Sequence, residues 1–292
     1  MKKGPLLGAH VSVAGGLHHA PGRGLQSGCD VIQIFARYPT RWKSPELEGE
    51  EVEKFKREQE NTGVYAVATH ASYLINLAAH SPSLYERSIS AMADEMRRAE
   101  QIGITNVVLH PGSAGGSDIN GAILRVARAV GDLAGDFDAA RICLETTAGQ
   151  GTTLGDRLSH ISEIIERSGR AERIFVCLDS CHLFAAGYDM ASERGFHNVT
   201  AELQSLGLAE KVRVIHLNDS KRERGSRVDR HEHIGEGMIG LQGFSRLVNH
   251  PPFRGVPFIL ETPKGGAPAL FDAENLRKLR MLVRRKGIRY SG

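Results

Sequence analysis

Short runs of apolar, often β-branched residues recur along the chain: Leu6 to His10, Val31 to Phe35, Val64 to His70, Asn106 to His110, Arg141 to Glu145, Ile174 to Asp179, Val212 to His216 and Pro257 to Glu261. Each is bounded by turn-forming residues and has the length of a buried strand. Between them the apolar positions recur at helical spacing. Leu84 to Ile102 carries Ile89, Met92, Met96 and Ala99 on one face, and Ile119 to Leu133 carries Ile123, Val126, Ala127 and Val130. Successive run ends lie 25 to 45 residues apart, enough for a strand, a helix and their loops. Eight such units predict one closed α/β domain, a (β/α)8 TIM barrel over residues 1–292. An open doubly wound sheet shares the alternation, but no glycine-rich dinucleotide fingerprint follows the first run. Longer excursions are expected at about 220 to 256, and a basic tail from Arg277.

Seven of the eight runs finish on His, Asp or Glu: His10, His70, His110, Glu145, Asp179, His216 and Glu261. These three types make up roughly one residue in six, too few for composition alone to produce the pattern. In a barrel the C-terminal ends of the strands share one rim, where side chains from different strands converge on a cleft. Imidazoles and carboxylates crowded there need cations between them to offset repulsion and desolvation, so the set reads as a metal site. Two residues before each end, Gly8, Ala68, Val108, Cys143, Cys177, Val214 and Ile259 face the same way and form a small apolar floor. Cys143 and Cys177 then have a packing role.

Two motifs extend the set. The turn in Asp179-Ser180-Cys181-His182 presents Asp179 and His182 to one cleft but to different metals. In Asp229-Arg230-His231 an extended backbone puts Asp229 and His231 on one side. The candidate ligands are His70, His110, Glu145, Asp179, His182, His216, Asp229, His231 and Glu261, more than one ion can use. Mixed imidazole and carboxylate ligands at three or four per ion suit Zn²⁺, with Mn²⁺ or Fe²⁺ as alternatives, and imply two or three ions. Ions about 4 Å apart suit in-line displacement at phosphorus.

Composition changes the picture little. The 292 residues are 41% hydrophobic and 24% charged, enough for a full core without disulfide or metal. A net charge of +3 permits a nucleic-acid partner without demanding one. Cys29, Cys143, Cys177 and Cys181 lack zinc-finger spacing and are too few for a secreted disulfide scaffold, which fits a reducing, cytoplasmic compartment. Met1-Lys2-Lys3 leads into Gly4 and Pro5, and the apolar run from Leu6 stops at His10, so neither a signal peptide nor a membrane span is expected.

Several motifs in order closely resemble the endonuclease IV family: Gly8-Ala9-His10-Val11-Ser12 with Gly15-Gly16, His70-Ala71-Ser72-Tyr73-Leu74-Ile75-Asn76-Leu77, His110-Pro111-Gly112-Ser113, Ala148-Gly149-Gln150-Gly151, Leu178-Asp179-Ser180-Cys181-His182, and His216-Leu217-Asn218-Asp219-Ser220 through Gly235-Glu236-Gly237. The resemblance spans essentially the whole chain. It implies a barrel holding three zinc ions that cuts duplex DNA 5′ to abasic sites, leaving a 3′-hydroxyl and a 5′-deoxyribose phosphate, with a metal-bridging hydroxide as nucleophile. His70, His110 and Glu145 would hold one zinc. Glu145 would bridge to a second held by Asp179, His216 and Glu261, and would orient the nucleophile as the catalytic group. His182, Asp229 and His231 would hold the third, and His10 would support the ligands. Tyr73 and Leu74 resemble residues that wedge into the minor groove at the lesion. Arg230, Arg227 and Lys221 would contact phosphates.

The chain departs from the family in two places. Where the family commonly shows Asn-Pro-Arg-x-Trp, this chain reads Tyr38-Pro39-Thr40-Arg41-Trp42, so a threonine replaces the wedging arginine and Arg37 or Arg41 is expected to compensate. Thr146 stands where an Asn often follows the bridging glutamate. A monomer acting on duplex DNA is expected. The competing reading is a metal-dependent sugar isomerase or epimerase on the same barrel, whose sites are richer in carboxylates than this histidine-dominated set.

Overall fold

The computed structural model describes residues 4–284. The Met1-Lys2-Lys3 segment and the chain beyond 284 lie outside the described residues. All eight apolar runs form strands: β1 Leu7–His10, β2 Val31–Ile34, β3 Tyr65–His70, β4 Asn106–Leu109, β5 Arg141–Glu145, β6 Ile174–Asp179 and β7 Val212–His216, with the last run at Phe258–Leu260. Between β7 and that last strand, β8 Asp219–Ser220 pairs antiparallel with β9 His231–Glu232, so the last strand is β10. The parallel strands close in the order β1-β10-β7-β6-β5-β4-β3-β2, a TIM barrel as the pattern of runs predicts.

Helices fill the intervals: α1 His19–Gln26, α2 Gly49–Thr62, α3 Pro82–Gln101, α4 Ile119–Asp136, α5 Leu158–Arg167, α6 Ser180–Ala186, α7 Glu193–Ser205, α8 Gly240–Asn249 and α9 Pro268–Leu282. Their apolar stripes pack on the outer faces of the strands, with Phe55, Met92, Met96, Ile123 and Phe244 fully buried. α9 carries the chain to Leu282, so the basic tail expected from Arg277 begins inside a packed helix; Leu276 and Leu279 anchor its buried face. No helix among the described residues is long and apolar enough to cross a membrane.

Inside the barrel, Ala68, Val108, Cys143, Cys177, Val214 and Ile259 form a separate buried cluster with Val31 and Phe175. This is the expected dry floor beneath the rim, and all four cysteines are free and buried. The long excursion is ordered by one carboxylate. Asp219 accepts hydrogen bonds from the amides of Gly235, Gly237 and Ile239 at 2.9–3.1 Å, which makes Gly235-Glu236-Gly237 a turn wrapped around a buried acid.

Gly8 sets the approach of β1 to β2. A Cβ added there would lie 1.8 Å from the Val31 carbonyl oxygen, a backbone atom that cannot swing aside. Gly8→Ala is expected to destabilise the protein by about 3 kcal/mol, the upper end of an overpacking penalty, measured as a lowered urea midpoint with an unchanged slope.

Candidate metal centre

Strand length decides where the candidate ligands arrive. β3, β5, β6 and β7 end on His70, Glu145, Asp179 and His216, while His110 and Glu261 follow β4 and β10 by one residue. Asp179 also starts α6: its Oδ1 accepts from the His182 amide at 2.8 Å, which turns His182 into the same cleft. Asp229 and His231 arrive from the excursion, where the pairing of β9 with β8 holds His231 against the rim.

The nine side chains assemble into three groups with donor atoms close enough to share an ion: His70, His110 and Glu145; Glu145, Asp179, His216 and Glu261; and His182, Asp229 and His231. Glu145 joins the first two. Its Oε2 lies 3.1 Å from His70 Nε2 and 3.0 Å from His110 Nε2, and its Oε1 lies 2.9 Å from His216 Nδ1. His216 Nδ1 is also 3.3 Å from Glu261 Oε2. In the third group, Asp229 sits between His182 Nε2 and His231 Nε2, at 3.2 Å from each.

The other ring nitrogens fix the tautomers. A carbonyl oxygen only accepts, so His70 Nδ1 donates to Ala71 O at 2.8 Å, His182 Nδ1 to Thr146 O at 2.8 Å and His231 Nδ1 to Glu261 O at 2.9 Å. Each leaves Nε2 bare toward the carboxylates. His216 is turned the other way. Gln33 Nε2 donates to Glu261 Oε1 at 2.7 Å, so Gln33 Oε1 faces His216 Nε2 at 3.0 Å, and that nitrogen must carry the proton. Nδ1 is therefore the nitrogen whose lone pair is open to a metal, on the side where Glu145 and Glu261 lie.

These contacts leave the centre short of cations. Burial works against charging the imidazoles, yet the Glu261 and Glu145 carboxylates raise His216 to about 9, and Asp229 and Asp179 raise His231 to about 9. Burial would raise Glu145 and Glu261, but the surrounding imidazoles hold both well below the usual carboxylate range. His231 Nε2 is buried, and the Asp229 carboxylate 3.2 Å away lies outside hydrogen-bond geometry. Ring nitrogens aimed at carboxylates held ionised, where divalent cations and protons compete for the same lone pairs, are a donor set that fits divalent cations. Cys177 and Cys181 also lie within reach of ligand groups. Burial pushes both thiols up, Cys181 to about 12, so they remain protonated fillers, the packing role expected for Cys177.

Residues that hold the ligands were harder to find in the sequence. Gln33 and Asn218 are fully buried. Asn218 Nδ2 donates to Asp179 Oδ2 at 2.6 Å, and its Oδ1 accepts from the Glu261 amide at 2.7 Å. The one available signal for Gln33 is that it is the sole polar residue within its strand run. His10 lies where support was expected, its Nδ1 3.1 Å from Glu261 Oε1. Thr146 accepts from the Asp179 amide through Oγ1 at 2.9 Å, so the departure from Asn keeps a polar contact beside the ligands.

Of the side chains expected to meet DNA, Tyr73, Arg41, Lys221, Arg227 and Arg230 are exposed to at least an intermediate degree and Leu74 is half-buried. Arg37 is buried: its Nε pairs with Asp94 at 2.8 Å and it donates to the Ala91 and Trp42 carbonyls, so its guanidinium is committed to tying this loop to α3.

Fold and rim together define a xylose isomerase-like TIM barrel carrying candidate metal ligands, and a family model of that description matches residues 24–282. The chain belongs to the endonuclease IV family. It is 45% identical over 281 residues to the probable endonuclease 4 of Chloroflexus aurantiacus, covering 96% of this chain and 98% of the relative. It superposes on endonuclease IV from Thermus thermophilus with a TM-score of 0.82 at 37% identity, covering 95% and 98% of the two chains. This membership makes it a hydrolase of the endonuclease class. A D-psicose 3-epimerase from Clostridium cellulolyticum also superposes, with a TM-score of 0.68 over 93% and 94% of the chains, but at 13% identity it shares the fold alone.

Because Gln33 orients both His216 and Glu261, Gln33→Leu is expected to weaken divalent-metal retention by about 10- to 100-fold. Chelator competition followed by elemental analysis reads this directly; retention equal to the parent protein would remove Gln33 from the centre.

Proposed function

We propose that the protein is a zinc-dependent DNA repair endonuclease, a single catalytic domain over residues 1–292. It would hydrolyse the phosphodiester 5′ to abasic sites in duplex DNA and leave 3′-hydroxyl and 5′-deoxyribose phosphate ends. The observation that carries this reading is Glu145, a buried carboxylate whose two oxygens face separate ligand groups. His70, His110 and Glu145 would hold one ion; Glu145, Asp179, His216 and Glu261 a second; His182, Asp229 and His231 a third, with Mn²⁺ or Fe²⁺ able to replace zinc at one position. When bound, the ions supply Lewis acidity, which activates water for in-line attack at phosphorus and neutralises charge on the departing O3′.

The chain's own residues supply position. The carbonyls that take the Nδ1 protons of His70, His182 and His231 hold the rings in place before substrate arrives, so little reorganisation accompanies reaction. Glu145, ionised among the imidazoles, aligns the nucleophile between the two groups it faces. Tyr73 and Leu74 would enter the minor groove where an abasic nucleotide, lacking stacking and pairing, rotates out at low cost. Arg230, Arg227, Lys221 and Arg41 would contact phosphates and fix the register on the duplex. The protein would act as a cytoplasmic monomer.

A duplex with one tetrahydrofuran abasic analogue tests the reading. Metal-replete protein is expected to incise 5′ to the analogue and to stop on addition of chelator. Glu261→Ala is expected to lower the incision rate at least about 100-fold, with much less effect on initial DNA binding. Absence of incision by metal-replete parent protein would overturn the proposal.

A further inference from the structure

Thr40 is too short to enter a base stack, yet the loop that carries it presents an aromatic ring with no assigned role. Tyr38 is 47% exposed, and Tyr73, on the neighbouring loop, is 65% exposed. Both line one groove of about 1200 Å³ that runs to His10, His231 and Glu261 of the metal centre. The two loops are fastened together: the Tyr73 amide and the Ser72 hydroxyl both donate to the Pro39 carbonyl, at 3.1 and 2.8 Å. Tyr38 is itself tied down, its amide donating to Ser44 Oγ at 2.9 Å and its carbonyl accepting from the Arg41 amide at 3.4 Å. Beneath them buried Arg37 and Arg98 bind α3 to this loop, Arg37 through Asp94 and the Trp42 carbonyl, Arg98 through the Pro45 carbonyl. The Arg41 guanidinium lies 5.1 Å from the centre of the Tyr38 ring.

An exposed tyrosine on a fixed backbone loses little entropy on binding, and every nucleobase offers a π-face to stack on it. A cation against the ring adds attraction for nucleic acid on the same surface. We propose that Tyr38, backed by Arg41, is a nucleobase-stacking residue that receives the base left unpaired opposite an abasic position and so contributes to lesion specificity. This inference rests on the functional reading above. Tyr73 and Tyr38 then form two stacking surfaces set side by side by the Pro39 carbonyl.

The test uses an abasic-analogue duplex with 2-aminopurine opposite the lesion, whose emission reports stacking. The full-length parent protein is expected to change that emission on binding. Tyr38→Ala should lose most of the change and raise KM about tenfold with kcat little altered, the lower part of the range that one base–aromatic stack contributes. Tyr38→Phe should behave as the parent protein, because the ring carries the interaction. Thermal melting of both variants checks that the fold is intact. Parent-like emission and KM in Tyr38→Ala would overturn the stacking role while leaving the endonuclease reading intact, and loss of both in Tyr38→Phe would also overturn it, by assigning the effect to the hydroxyl. A parent protein that neither binds nor incises the duplex would overturn the functional reading itself.

Discussion

The structure depends on one electrostatic constraint: four carboxylates and five imidazoles converge on one end of a closed barrel, most of them out of water. Taken alone, each would lose its charge or stay in solvent. In the cluster the imidazoles hold Glu145, Asp229 and Glu261 below the usual carboxylate range, and the carboxylates raise His216 and His231 to about 9. An arrangement of this kind is expensive unless cations enter it. The barrel is what makes the convergence possible, because its closed ring of parallel strands delivers residues at or just past each C-terminal end to one rim above a dry floor.

Support around the donors is polar. Gln33 is held by a donor on one side and an acceptor on the other, so it can be satisfied in only one orientation, and that orientation selects the His216 tautomer. Asn218 does the same between Asp179 and the Glu261 backbone. Backbone carbonyls complete the set for three other histidines. The third ligand group depends on the excursion between β7 and β10, which Asp219 folds by gathering amides from its far end.

Much of this was legible in the residues. Buried parallel strands read as continuous apolar runs, and polar residues at their ends stand out against that background; hence the strands, the floor and all nine candidate ligands were visible in order. What stayed hidden was pairing across long stretches of chain. Arg37 looked like any loop arginine until Asp94, more than fifty residues later, closed on it from α3. Gln33 looked like an interruption of a strand until His216 and Glu261 met its two ends. Arg277 and its neighbours looked like a tail because the helical face containing Leu276 and Leu279 is narrow. In each case local composition was the same for both outcomes, and only the closing of the barrel distinguished them.

The central claim is that cations hold the rim together and serve the chemistry there. Its most direct test is elemental analysis of the native protein, purified without chelator, with incision measured on the same sample. The account predicts about three equivalents of divalent metal per chain, mainly zinc, with incision falling as the metal is withdrawn and returning as it is restored. Protein that incises abasic DNA at full rate with well under about one equivalent of metal would contradict it.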